Sequence, residues 1–241
     1  SSGVITNREP WVYDFSYVNL KSRIVNMLSF YNEQVNIYKE KININPKIKV
    51  KDAVSDNPKK IKWDQGLLKD AEKLTNIKLD SNSFRTALYR PYFKQNVYFN
   101  KNLNWSRYLL PSLFPDSTFE NKLICVTGGG SKKNFTTVIT DLIPDRQMQF
   151  NGQCFPLYYY EEKEQVQGSL FDSTSEDKYV RRDGISDFIW ERAKKQYGKS
   201  VSKEDIFYYV YGILHSPDYR ETFANDLKKM LPRIPLVDKP K

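Results

Sequence analysis

Few side chains in this sequence have the types and spacing to do chemistry, and most of those suit a polyanion better than a bond-making reaction. A run of Gly128-Gly129-Gly130-Ser131 is followed at once by Lys132, Lys133 and Asn134. Glycines let backbone N–H groups approach an anion closely, and two lysines would add charge. The same run also makes a tight hairpin, and both readings stand. Just beyond it come Arg146, Gln147, Gln149, Asn151 and Gln153. Arginine can place two hydrogen bonds on a guanine edge, and the amides can do so on adenine. An ordinary polar loop has the same composition.

Over residues 84–153, nine cations face four acids, a net of +5. Arg85, Arg90, Lys94, Arg107, Lys132 and Lys133 are the candidates for neutralising phosphates, each contact adding salt dependence. Asn134, Arg146, Gln147, Gln149, Asn151 and Gln153 are the candidates for reading bases.

Catalytic signals are weak. There is no GxxxxGK[ST] loop, no GxGxxG and no paired histidine. His215, the only histidine, lacks a second group to orient or use it and reads as structural. One enzymatic alternative keeps Asp141, Asp145 and Glu161 as metal ligands of a nuclease site. Cys125 and Cys154, the only cysteines, have no CxxC spacing, so neither zinc nor a disulfide framework is indicated. A reduced, cytoplasmic setting fits them. We therefore expect no catalytic residue, metal or cofactor in this chain.

These groups sit in a chain of 241 residues with a formal charge of +9 and 15% aromatic residues. The aromatics can build a core, and the charge favours nucleic acid among polyanions. No segment approaches the ~18 apolar residues that a bilayer requires, so no membrane partner is expected. The opening Ser1-Ser2-Gly3-Val4 lacks the basic start and apolar run of a signal peptide and reads as the start of an excised fragment.

The elements that must position these groups fall into an α+β order: a helical spacer, a central and mostly antiparallel twisted sheet, and a C-terminal helical bundle. Ser16 as N-cap and apolar residues from Leu20 to Tyr38 at steps of three and four predict a helix over 17–40. Residues 39–62 hold eight lysines against three acids, a net of +5, and Pro46 and Pro58 bar a continuous helix there. A second helix is expected from Asp64 to about Asn76, burying Leu67, Leu68, Ala71 and Leu74. Strand-like runs follow at 84–89, 97–99, 123–127, 135–140 and 154–158. An acidic insert, 161–178 with a net of −4, reads as a mobile surface loop. Beyond it, Ser202 and Asp205 have capping-box spacing, and Ser216-Pro217 opens a last helix bearing Phe223, Leu227 and Met230. The domain boundaries are placed at 1–80, 81–182 and 183–241.

Several strings then resemble one family. Residues 88–99, Leu-Tyr-Arg-Pro-Tyr-Phe-Lys-Gln-Asn-Val-Tyr-Phe, are similar to the YRPFD-x-R-x-x-Y segment of type ISP restriction-modification enzymes and the related type IIG enzymes. Residues 123–160 resemble that family's glycine-containing strand, its D-x-I-P-D stretch and its FPLY-x-Y segment. Residues 208–220 resemble YVYGxLHSPxYR, 231–235 match LPRIP, and 3–11 resemble GVxTxRDxW near the end of the methyltransferase part. The chain departs from the pattern where Phe93 replaces an Asp and where Gln95 or Asn96 replaces an Arg.

The resemblance implies a C-terminal target recognition domain, preceded by the tail of a methyltransferase. It implies sequence-specific recognition of double-stranded DNA, directing adenine methylation and cleavage by other domains of a parent endonuclease and adenine-N6 methyltransferase. S-adenosylmethionine, ATP and Mg belong to that parent, and its methyltransferase domain is the expected protein partner. A module that docks other subunits of a defence complex and never touches bases is the remaining alternative.

Overall fold

The computed structural model describes residues 1–163 and 178–238. The acidic insert falls, apart from its ends, on residues 164–177, outside the described residues. The chain divides into two compact units. One holds residues 1–3, 88–92 and 108–241, and the other residues 4–87 and 93–107.

The second of these units is built on one long helix. It begins with α1 (Glu9–Val12) and β1 (Tyr13–Asp14), then α2 (Tyr17–Ile44), capped by the Ser16 side chain accepting from Asn19 N. The apolar period foreseen in the sequence is the buried face: Leu20, Ile24, Met27, Leu28, Tyr31, Val35 and Tyr38. Its polar members hold the following chain. Asn32 exchanges two hydrogen bonds with the Ile77 backbone (2.9 and 3.0 Å), and Gln34 accepts from Ser55 N at 2.7 Å. Next come α3 (Val50–Ala53) and α4 (Gln65–Glu72), the latter capped by Asp64. That helix stops short of the expected end. Leu74 takes φ +55° and is 39% exposed, and Leu68 is only half-buried. The Leu74 and Thr75 N–H groups turn back onto Ala71 and Asp70 carbonyls, ending the helix with a left-handed residue.

Asp64 also meets the guanidinium of Arg8, the largest fully buried side chain. In the same unit, β3 (Phe93–Tyr98) pairs antiparallel with β1, Tyr13 opposite Val97. Phe93, at the position where the family resemblance expects a charge, packs edge-on against Phe15 at 5.2 Å.

In the other unit, the end of β2 (Phe84–Arg90) lies beside β6 (Ile143–Pro144). Asp145 N continues that edge, donating to Leu88 O at 3.1 Å. A short helix, α5 (Leu110–Leu113), leads to a three-stranded antiparallel sheet of order β5-β4-β7. Its strands are β4 (Leu123–Val126), β5 (Thr137–Thr140) and β7 (Gln153–Pro156). Cys125 and Cys154 face each other across β4 and β7 as buried thiols, their sulfurs 3.4 Å apart. The run expected as one strand over 154–158 breaks at Leu157, whose N–H donates to Lys122 O and whose carbonyl accepts from Gly184 N. β8 (Tyr158–Glu162) then pairs with β9 (Tyr179–Asp183) in a separate hairpin. The antiparallel pairing is as expected, but it is distributed over several small sheets.

Four helices close this unit: α6 (Asp187–Tyr197), α7 (Lys203–His215), α8 (Pro217–Thr222) and α9 (Ala224–Leu227). Ser202 and Asp205 form the reciprocal capping box, with Asp in place of the usual Glu. Phe207, Leu214, Tyr219 and Leu227 pack with Ile124, Val126 and Leu157 into one apolar cluster. Phe223 and Met230, expected on the apolar face with Leu227, are 41% and 42% exposed because the helix breaks after Thr222.

Candidate nucleic-acid interface

The glycine run forms a tight turn, in which Ser131 N donates to Gly128 O at 3.2 Å, and lies outside any strand. It opens a ten-residue connection, 127–136, between β4 and β5. The neck of this loop is closed by Thr127 and Thr136. Thr127 N donates to Thr136 O at 3.0 Å, Thr136 N donates to Thr127 Oγ1 at 2.9 Å, and the two hydroxyls share a bond of 2.9 Å. Gly130 takes φ +75°, a value that L side chains rarely adopt. Beyond it Lys132, Lys133 and Asn134 are all exposed.

A second loop lies against the first. Asp145 caps a 3-10 turn, Arg146–Gln149, by accepting from Gln147 N at 2.8 Å. Phe150 and Asn151 then take φ of 50° and 64° in succession. Asparagine tolerates the left-handed region, whereas phenylalanine does so at a cost of order 1–3 kcal/mol unless the surroundings impose it. Backbone bonds from Phe150 N to Gln147 O (3.2 Å) and from Gly152 N to Arg146 O (3.0 Å) hold the turn, and three further contacts surround it. Gly128 has no Cβ, and one added there would lie 2.1 Å from Asn151 O. The Thr136 hydroxyl donates to the Gln149 amide oxygen. Lys133 Nζ lies 5.5 Å from the centre of the Phe150 ring.

The two loops therefore share one edge on which Lys132, Lys133, Asn134, Gln147 and Asn151 are exposed. Gln147 Nε2 donates to Asn151 Oδ1 at 3.2 Å, which orients both amides. Arg146 is half-buried, with Nη1 donating to Tyr108 Oη at 3.1 Å. Among the described residues its buried Nε meets no hydrogen-bond partner. Gln153 is half-buried, and its backbone sits opposite Val126 in β7.

Several expectations require correction. Gln149 is 3% exposed and spends its amide oxygen on Thr136, so it supports the loops and presents nothing to a base. Arg90 pairs with the buried Asp145 carboxylate at 2.9 Å and stacks on Tyr89 at 3.9 Å. That pairing also removes Asp145 from any metal set, and Glu161 pairs with Arg182 at 2.9 Å. Among the described residues no three His, Cys, Asp or Glu side chains converge on a cation site, so Asp141, Asp145 and Glu161 do not assemble one. His215 packs against the Tyr211 ring at 4.6 Å, and burial, then the charge of Arg220, lowers its pKa.

The remaining candidates lie in the other unit. Lys94 is exposed on β3, and Arg85 is half-buried on β2. Arg107 is half-buried 5.2 Å from the centre of the Phe99 ring, with its pKa lowered by burial and partly restored by Asp80. Two residues that matter to the edge, Phe150 and Tyr108, were not foreseen. The one signal available for Phe150 was an aromatic residue set among amides.

Cations and amides carried on interlocked loops, above a small sheet backed by helices, define an α+β module whose polar chemistry is displayed rather than enclosed. The family model of the type ISP C-terminal specificity domain matches residues 1–241, and the chain belongs to that family. Three solved structures resemble it. The first is a cryo-EM DrdV–DNA complex, 31% identical with a TM-score of 0.79 over 100% of this chain. The second is a nuclease-deletion mutant of the type ISP enzyme LlaGI with a DNA substrate mimic, 32% identical with a TM-score of 0.78 over 98%. The third is the ATP-dependent type ISP enzyme LlaBIII bound to DNA, 27% identical with a TM-score of 0.77 over 97%. The matched region spans 21%, 20% and 14% of those chains, respectively. Among curated proteins none matches. Among the described residues, no helix is long and apolar enough to cross a membrane.

Proposed function

We propose that this chain reads a specific sequence in double-stranded DNA for a restriction-modification enzyme. The observation that carries the reading is the shared edge of loops 127–136 and 146–153. There Lys132 and Lys133 stand beside Asn134, Gln147 and Asn151 on a backbone locked by the Gly128–Asn151 contact. Lysines are flexible point charges that hold phosphates and set register. Amides pre-oriented by a mutual hydrogen bond suit the two-point recognition of adenine, and the Arg146 guanidinium suits guanine. The likeness to structures described as DNA complexes supports the same reading.

On this reading the chain itself transforms nothing. It positions one adenine for a methyltransferase domain of the same parent chain, which must take the base out of the stack. S-adenosylmethionine, ATP and Mg serve those other parts of a cytoplasmic enzyme. Methylome sequencing of the host with and without the intact gene tests this. Loss of methylation at one adenine-containing motif is expected, and an unchanged methylome contradicts it.

A further inference from the structure

The lysine-rich stretch 39–62 lies in the unit formed by residues 4–87 and 93–107, apart in sequence from the loops assigned to base reading. All eight of its lysines are exposed. Among the described residues none of Lys47, Lys49, Lys51, Lys59, Lys60 and Lys62 makes an ion pair. Two acids of the same unit are already engaged, Asp64 with Arg8 and Asp14 with Arg23. Glu33 lines the groove beside Lys59 and Lys60, and Asp56 the one beside Lys62, so the acids offset the stretch only in part and its net charge stays at +5.

Nor is this a loose tail. Residues 55–63 are tied down at several points. Lys60 N and Ile61 N both donate to Asn57 O (3.0 and 3.2 Å), Lys59 N donates to Asn57 Oδ1 at 3.0 Å, and Trp63 Nε1 donates to Ser55 O at 2.9 Å. Ile61 is 1% exposed and anchors the turn in the core. Lys59 and Lys60 thereby border an open groove of about 460 Å³ with Trp11 and Phe30, and Lys62 borders a neighbouring one of about 400 Å³ with Trp11 and Trp63. A fixed backbone carrying mobile ammonium groups loses little order on meeting a regularly charged polymer. Lysine, lacking a planar fork, suits contacts that carry no sequence information.

We infer that Lys59, Lys60 and Lys62 form a second DNA contact, which holds the sugar-phosphate backbone outside the recognised site without regard to sequence. This rests on the DNA-reading function proposed above. The test compares the chain with a K59Q/K60Q/K62Q variant and a charge-preserving K59R/K60R/K62R variant. Affinity is measured against salt on a long duplex and on one trimmed to the recognised site. The glutamine variant is expected to lose about 0.9 of salt slope per contact removed on the long duplex. It should keep its ratio of cognate to scrambled affinity and match the parent on the trimmed duplex, and the arginine variant should retain the parental slope. An unchanged slope in the glutamine variant, with the parent still discriminating between sequences, overturns this inference alone and leaves the lysines to an acidic protein surface. Absence of duplex binding by the parent overturns the proposed function as well.

Discussion

Gly128 and Asn151 touch so closely that a single added carbon on the glycine would sit 2.1 Å from the asparagine carbonyl oxygen. The contact joins two loops and is possible only because residue 128 lacks a Cβ. Gly128→Ala should therefore push the loops apart. Overpacking of this kind costs about 1–3 kcal/mol. We expect a lower melting temperature and a larger loss of cognate than of scrambled DNA binding. Thermal unfolding and parallel titrations of both duplexes check this.

On the proposed reading, lysine charge holds the DNA backbone and the Arg146 guanidinium reads a base. Lys132→Ala should weaken every sequence alike and lower the salt slope by about 0.9. Arg146→Ala should instead relax preference at one base position, costing about 1–3 kcal/mol on cognate DNA. Equal effects of the two changes on cognate and scrambled duplexes would refute the division.

Much of the scaffold was legible because its signals are local. The period of α2, the Ser16 cap and the Ser202–Asp205 box each depend on residues within one or two turns, and each is found. What was not legible depends on partners distant in sequence. Gln149 has the composition of a base reader, but Thr136 claims its amide from another loop. Arg90 reads as a phosphate contact until the buried Asp145 is placed beside it. Leu74 continues the apolar period of α4, yet the chain turns left-handed there and leaves it exposed.

Asp145 serves the fold twice, as the cap of the Arg146–Gln149 turn and as the partner of Arg90. Asp145→Ala should cost roughly 2 kcal/mol, a cap of about 1 plus an ion pair discounted because Arg90 is partly exposed. Urea unfolding measures this. A change below the error of the measurement would show that neither contact matters.

His215 gives the chain one titration near neutrality. Its pKa is lowered by burial and by Arg220, so the folded state binds a proton less readily than the unfolded state. The full stability is present above the ordinary histidine value, near 6.5. It is lost as pH falls from there through the lower folded value. The melting temperature should drop on acidification from neutrality, and His215→Gln should flatten that drop. An identical profile in the variant would assign the acid sensitivity to carboxylates.

The central claim concerns the amides on the shared loop edge, and a binding selection from random duplexes at low ionic strength addresses it most directly. It is run in parallel on the parent chain, joined to the methyltransferase domain proposed above, and on the same protein carrying N134A/Q147A/N151A. The parent should enrich one sequence, and the variant should still bind DNA but enrich none. The same enriched sequence from both proteins, or none from the parent, would contradict the assignment.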